Sequence, residues 1–438
     1  MTEIPLEPPR GMDDLLPEDT AVMKRLIDAA HRLFKLYGYS EVDTPTVEYY
    51  ELFAAKSGAE IRERMYVFED VHGRKLALRP EMTAPIARLV AGKLSRRPMP
   101  LRLGYVADCY RLDEPQWGRR RRFFHAGFEL FGSSSPMADL EILRIATDYF
   151  TEIGLNDVHI KIGHVGLLRS VMRQGNIHED VQDLVLSLLD RGRFDEALNL
   201  LRSRGASGSI LQIFNQLQDL QPKEFHLIER EVAELLRGFE GALRALANLQ
   251  EITDSFRSLA PERPKLIYHP VFARGLAYYT GMIFEVYAPE SSIALAGGGR
   301  YDQLVQLFGG REVPAVGFAI GVSRIHQYIT TRTELKFRGD DQLIYLITLG
   351  ERSNVTIGAK IATELRRRGV PVEEDVVGRG LSEGLSYAER RGARFALVLG
   401  EREVRKGVVA LRDLVHRRQV EVGMDADAIL NAIREHDR

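Results

Sequence analysis

Arg274, Tyr278 and Tyr279 fall in one short stretch, followed by a strand-like run from Thr280 to Tyr287 rich in aromatic and β-branched residues. A polar turn, Pro289-Glu290-Ser291-Ser292, reverses the chain, and a second apolar run, Ile293 to Ala296, leads into Gly297-Gly298-Gly299-Arg300. Two such strands make a hairpin, and three glycines beside it let a ligand or another backbone approach closely. A charged, aromatic-lined strand pair walled by bare backbone suits a small polar ligand such as an amino acid. The simpler alternative is a buried hairpin with a glycine bulge.

Two further stretches carry chemistry. Arg111 to Arg122 is a polar turn with one glycine and a run of arginines, Arg119 to Arg122, followed by a strand bearing His125 and Glu129. Arginines on such a loop grip a phosphate or carboxylate, or form a solvated charge run. Leu78-Arg79-Pro80-Glu81-Met82-Thr83 ends another strand and feeds a helix.

The elements that position these residues read as follows. Glu18, Asp19 and Thr20 open an amphipathic helix over Val22 to Tyr37, closed by Gly38. Met65 to Phe68 and Lys75 to Arg79 flank a turn, and a helix covers Ala84 to Leu94. Leu103 to Tyr110 and Phe123 to Phe131 form a long hairpin around the basic loop, then a helix runs from Pro136 to Ile153 and a strand from Val158 to Ile162. Residues 167–258 are helical in pattern, and Lys265 to Tyr268 resumes the sheet. Val316 to Ile320 enters a last helix of this part at Gly321. From Gln342 strands and helices alternate, the mark of a parallel or mixed α/β unit. This gives an α+β core over 1–330 with a helical insertion at 167–258, a linker at 331–341, and a small α/β domain at 342–438.

Composition excludes several classes. The chain has 438 residues, 45% hydrophobic and 28% charged, with a net charge of −2 and one cysteine, Cys109. That composition fits a globular protein of two or three domains at roughly 150 residues each. A single cysteine excludes an intramolecular disulfide and a Cys-rich zinc site, and no metal site is expected. The N-terminus lacks a signal-peptide layout, and no apolar run approaches the roughly 18 residues of a membrane span. A cytoplasmic protein is expected.

These motifs resemble the class II aminoacyl-tRNA synthetases, in their histidyl branch. RGLAYYTGMIFE (274–285), GGGRYDQL (297–304) and LRPEMTAP (78–85) are similar to its histidine-binding signatures. Residues 110–129 resemble its second general motif, and VGFAIGVSRI (316–325) its third. Residues 392–414 resemble the anticodon-binding domain. The resemblance implies an antiparallel sheet core, a homodimer formed through Val42 to Glu48, and a histidine pocket. Glu81, Thr83, His125, Glu129, Arg274, Tyr278 and Tyr279 would line that pocket, with Gly297, Gly298, Gly299 and Arg300 as its wall.

The branch holds both synthetases and a regulatory paralogue that assembles with a short-form ATP phosphoribosyltransferase. ELFGSSSPMADLEIL (129–143), IKIGHVGLLRSVM (160–172) and RPEMTAPIARLVA (79–91) resemble the paralogue. By motif, a synthetase carries glutamine at His125, tyrosine at Arg120, aspartate at Ala277 and glutamate at Ser323. His125 offers no donor-plus-acceptor amide, and a lost buried hydrogen-bond partner costs roughly 1–3 kcal/mol. The expectation is therefore a non-catalytic regulatory subunit of ATP phosphoribosyltransferase. It would bind histidine for feedback control, work in a hetero-oligomer with the short catalytic subunit and need no cofactor. The alternative is a histidyl-tRNA synthetase using ATP, magnesium and tRNA, with Arg274, Arg111 and Arg324 as catalytic cations. The C-terminal domain favours that alternative, because the paralogue commonly lacks it.

Overall fold

The computed structural model describes residues 4–55, 62–259, 264–332 and 343–436. The expected linker, 331–341, lies almost wholly outside them. Two compact units emerge, Met1–Leu335 and Lys336–Arg438.

The first unit is built on a nine-stranded sheet. In chain order its strands are β1 (Ser40–Glu41), β2 (Leu101–Tyr110), β3 (Arg122–Phe131), β4 (His159–His164), β5 (Lys223–Glu224), β6 (Leu266–Tyr268), β7 (Met282–Tyr287), β8 (Ala296–Arg300) and β9 (Ala315–Gly321). Their spatial order is β1-β2-β3-β9-β8-β7-β4-β6-β5. The six strands from β2 to β4 are antiparallel. The β1–β2 and β4–β6 pairs are parallel, so the sheet is mixed. The tenfold register of the β2–β3 hairpin makes it the longest ladder.

Several helices pack on this sheet, among them Val322–Thr330 and three longer ones. Pro17–Tyr37 starts with proline and acidic residues, ends at Gly38 in the left-handed region, and buries Met23, Leu26, Ala30, Leu33 and Phe34. Pro136–Glu152 and Glu240–Leu259 bury Ile142, Ile145, Phe150, Leu249 and Phe256. The helical pattern of the insertion resolves into Val165–Gln174, Glu179–Asp190, Phe194–Ser203, Gly208–Asp219, Glu229–Leu235 and Glu240–Leu259, with β5 as the one strand among them. A separate three-stranded sheet holds Val47–Tyr49, Lys75–Leu78 and Val67–Glu69, and helix Thr83–Ala91 follows it.

One expectation shifts in an instructive way. The second strand of the glycine hairpin is the glycine run itself, not the apolar run before it. Its neighbours crowd it: a Cβ on Gly298 would lie 2.1 Å from the Gly317 carbonyl oxygen, and one on Gly299 would lie 2.4 Å from that of Met282. No side chain fits between these strands.

The second unit is a five-stranded sheet, β10 (Ile344–Thr348), β11 (Val372–Glu374), β12 (Phe395–Leu399), β13 (Val408–Asp413) and β14 (Arg418–Gly423), ordered β11-β10-β12-β13-β14. The first three are parallel and the last two antiparallel. Ile344, Leu346, Leu365, Phe395, Leu397, Leu411 and Ile429 form its core against the helices. Among the described residues no helix is long and apolar enough to cross a membrane.

Candidate active site

A cavity of about 600 Å³ opens beside the central strands, lined by Arg111, Arg119, His125, Arg274 and Arg324. Arg111, Arg119 and Arg274 stand on loops and Arg324 on helix Val322–Thr330. Arg274 lies across Gly297, donating Nη1 to the Phe284 carbonyl at 2.9 Å and standing 3.4 Å from Glu285 Oε1. A Cβ at Gly297 would fall 1.9 Å from that Nη1. Glycine here makes room for a guanidinium. Burial works against the charge of Arg274, but Tyr279, Glu285 and Asp190 around it more than offset this and hold its pKa above the ordinary range. Arg324 donates to the carbonyls of Gly118 (3.0 Å) and Ala294 (2.9 Å). Burial and its arginine neighbours Arg111, Arg119 and Arg274 push it down to about 10. Arg111 donates to the Pro80 carbonyl at 2.9 Å and lies over the Phe123 ring. Cations crowded together in a buried cavity await an anion.

His125 sits on this wall. Burial, followed by Arg111, Arg324 and Arg274, drives its pKa well below the usual imidazole range, so the ring is neutral. Its Nδ1 is buried without a hydrogen-bond partner among the described residues.

The carboxylates occupy a second, tightly packed cluster. Thr83 Oγ1 donates to Glu129 Oε1 at 2.8 Å, and Tyr301 donates a short hydrogen bond to Glu129 Oε2. Glu81 accepts from the backbone of Thr83 (2.6 Å) and Ala84 (3.0 Å), the first turn of helix Thr83–Ala91. Burial pushes Glu129 up to about 8, with Glu81 adding to the rise, and burial raises Glu81 as well. At neutral pH this half of the site holds a proton on Glu129. Tyr278 packs against Tyr279 and Tyr301, with ring centroids 4.9 and 5.7 Å away. Gly317 pairs with Glu129 across β3 and β9, and a Cβ there would lie 1.8 Å from Oε2. The site therefore needs Gly317 as much as Gly297.

Some expected residues stand elsewhere. Gly298 and Gly299 pack strand to strand and do not line the cavity. Arg300 is a buried clamp: its Nη2 lies 2.5 Å from Asp139 Oδ2, and Nη1 donates to the Ser133 carbonyl and to Asp302. The arginine run also divides. Arg119 lines the cavity, whereas Arg120 pairs with Asp13 at 2.6 Å, Arg121 donates to the Asp113 carbonyl, and Arg122 reaches Asp108. The leader holds this loop, since the Gly11 carbonyl accepts from the backbone of Arg121 at 2.8 Å. Lys161, Asp190, Glu285 and Tyr287 complete the cavity wall. Sequence reading missed them, and also Tyr301. Tyr301 directly follows the glycine–arginine run, which was a usable signal. Lys161 and Asp190 carry no local one.

Comparison with known proteins decides the branch. The family model "Histidyl-tRNA synthetase" matches residues 11–325, and "Anticodon binding domain" matches 344–436. The histidine–tRNA ligase of Methanocaldococcus jannaschii is 37% identical over 419 residues, covering 95% of this chain and 97% of its own. That of Saccharolobus solfataricus is 35% identical, covering 99% of both chains.

The chain belongs to the histidyl-tRNA synthetase family.

The solved histidyl-tRNA synthetase of Nostoc sp. PCC 7120 shares the fold, with a TM-score of 0.80 at 22% identity over 98% of this chain and 100% of that one. A Bacillus halodurans C protein described as an ATP phosphoribosyltransferase regulatory subunit/histidyl-tRNA synthetase has a TM-score of 0.75 at 26% identity, covering 91% of this chain and 100% of its own. The expectation of a non-catalytic regulatory subunit with a phosphoribosyltransferase partner is overturned. Full-length similarity runs to histidine–tRNA ligases and extends through the anticodon-binding domain. The expectation of a protein without enzymatic activity of its own falls with it.

The histidyl-tRNA synthetase core explains why the departures from motif misled. Ser323 Oγ accepts from the Phe124 backbone at 2.9 Å, so it braces the strand beside the cavity. The Ala277 carbonyl accepts from Arg169 at 3.2 Å, and Arg169 also holds Asp183 at 2.6 Å, which ties this segment to the insertion. Arg120 serves the leader. Ser323 and Arg120 have structural partners of their own, and Ala277 is held through its backbone.

Proposed function

We propose that this protein is a histidine–tRNA ligase, which activates histidine with ATP and transfers it to tRNA in the cytoplasm. The observation that carries this reading is the convergence of Arg111, Arg119, Arg274 and Arg324 on one cavity next to the Glu81–Glu129 cluster. Histidine presents a cationic ammonium and an imidazole N–H to the carboxylates, and its carboxylate reaches toward Arg274. Arg111, Arg119 and Arg324 hold the ATP phosphates. A carboxylate oxygen of histidine attacks the α-phosphorus, the new O–P bond forms, and pyrophosphate leaves with the electron pair. Arg274, aimed where negative charge builds, stabilises that transition state. A ribose hydroxyl at the tRNA end then attacks the carbonyl carbon. An ester forms, AMP leaves, and the hydroxyl proton goes to the departing phosphate. Among the described residues no group of three or more His, Cys, Asp or Glu could hold a metal. Magnesium carried by the nucleotide adds charge neutralisation to what the arginines supply.

Histidine-dependent ATP–pyrophosphate exchange, followed by charging of tRNA(His), tests the proposal. Both activities are expected from the purified chain. Histidine binding without exchange would sink it.

A further inference from the structure

The wall of the cavity beyond Arg274 has no part in the reactions above, yet it carries a cation. Lys161 points from β4 into the cavity, half-buried, its Nζ 4.2 Å from the centroid of the Phe272 ring. Its partner across the ladder is Glu285. Glu285 is committed elsewhere, Oε1 facing Arg274 at 3.4 Å and Oε2 accepting from Tyr287 at 2.7 Å. Lys161 makes no hydrogen bond or ion pair with any described residue. His269, beside it in the same wall, is driven down to about 4, first by burial and then by Lys161 itself, and so adds no charge of its own. Glu285 and Asp190 both attract this ammonium and Arg274 opposes it, but neither carboxylate closes an ion pair on it, so an ammonium held out of bulk water is open to an anion.

Register fixes where that anion lies. Lys161 pairs with Glu285, and Glu285 with Gly297, over which Arg274 lies. Lys161 is thus two strands, about 10 Å, from the strand under the reacting centre. The carboxylate cluster takes the amino acid, and Arg111, Arg119 and Arg324 take the nucleotide. The third substrate must reach the same carbonyl from the remaining side. We infer that Lys161 receives a phosphate of the tRNA 3′ end and positions the terminal ribose for transfer. This rests on the ligase reading. The ligand chemistry is a phosphate, and ATP or pyrophosphate is the competing source.

The test measures both half-reactions in wild type, K161M and K161R. The inference expects K161M to raise the KM for tRNA about tenfold, the value of one charge-assisted contact, with exchange changed less than about twofold and K161R restoring most of the loss. The slope of log KM against log salt should also fall by about one phosphate's worth, roughly 0.7. An equal loss in exchange would assign Lys161 to the ATP phosphates and overturn the inference. So would unchanged charging, which would leave Lys161 a structural cation. Exchange without charging in wild type would instead break the ligase reading itself, and the inference with it.

Discussion

The two halves of the site handle charge in opposite ways. The open half is walled by arginines, whose guanidinium groups stay ionised even where burial and like charges push Arg324 down to about 10. Its positive field is the same at any physiological pH. The closed half uses two buried carboxylates, and burial beside Glu81 pushes Glu129 up to about 8, into the range where it titrates. Phosphates need a constant field and accept it from many directions. An amino acid with an ammonium and an imidazole needs specific partners, and buried carboxylates supply them while remaining responsive to protons. On the proposed ligase reading, affinity for the nucleotide and selectivity for the amino acid would be built from different chemistry within one sheet.

The largest expected effect breaks the open half. R274A removes the cation laid over Gly297 and should lower exchange about a thousandfold, the scale seen when a preorganised transition-state donor is lost. Its KM for histidine should move far less. Comparable losses in both would mean that the two halves are not separable.

Next comes the closed half. E129Q should raise the KM for histidine about tenfold to a hundredfold, with ATP binding little changed, because a charged hydrogen-bond acceptor becomes a neutral amide. The same variant sharpens the pH contrast. Free Glu129 is protonated below about 8 and must ionise to hold a cation, so binding releases a proton. Histidine affinity should therefore rise with pH up to about 8 and then level, by at most about tenfold per unit. Calorimetry in two buffers of different ionisation enthalpy measures the release. E129Q should lose this component, and an unchanged proton release would remove Glu129 from the role.

The smallest effect falls beside the open half. S323A deletes the acceptor for the Phe124 backbone and should change exchange by no more than about fivefold, since a single such bond contributes about 1 kcal/mol. A larger loss would restore a chemical role to this position.

Much of this architecture was legible in residues close together in sequence. The helix from Pro17 to Tyr37 announces itself by period and caps, and the β2–β3 hairpin by its strand runs and turn. Glu81, Thr83, Glu129, Arg274, Tyr278 and Tyr279 were placed near the ligand by their motifs, and the structure gathers them around one cavity and its adjoining cluster. The choice of branch failed for a definable reason. His125, Ala277 and Ser323 were weighed as missing hydrogen bonds, although what a side chain loses in a site depends on what replaces it. Ser323 holds a backbone amide, and the Ala277 segment is tied by Arg169.

The sequence by itself determined the elements, the motif residues and the charge types available, because helical period, turn chemistry and side-chain type are local properties. Only the tertiary structure decided which charges share a cavity. Arg119 faces the site while Arg120 turns to Asp13, and Arg300 leaves the pocket for Asp139. Lys161 and Glu285, more than a hundred residues apart in the chain, become neighbours through strand pairing. Gly297 and Gly317 matter for what lies above them, Arg274 and Glu129. Coulomb energy depends on distance and burial, and neither is written in the order of residues along the chain.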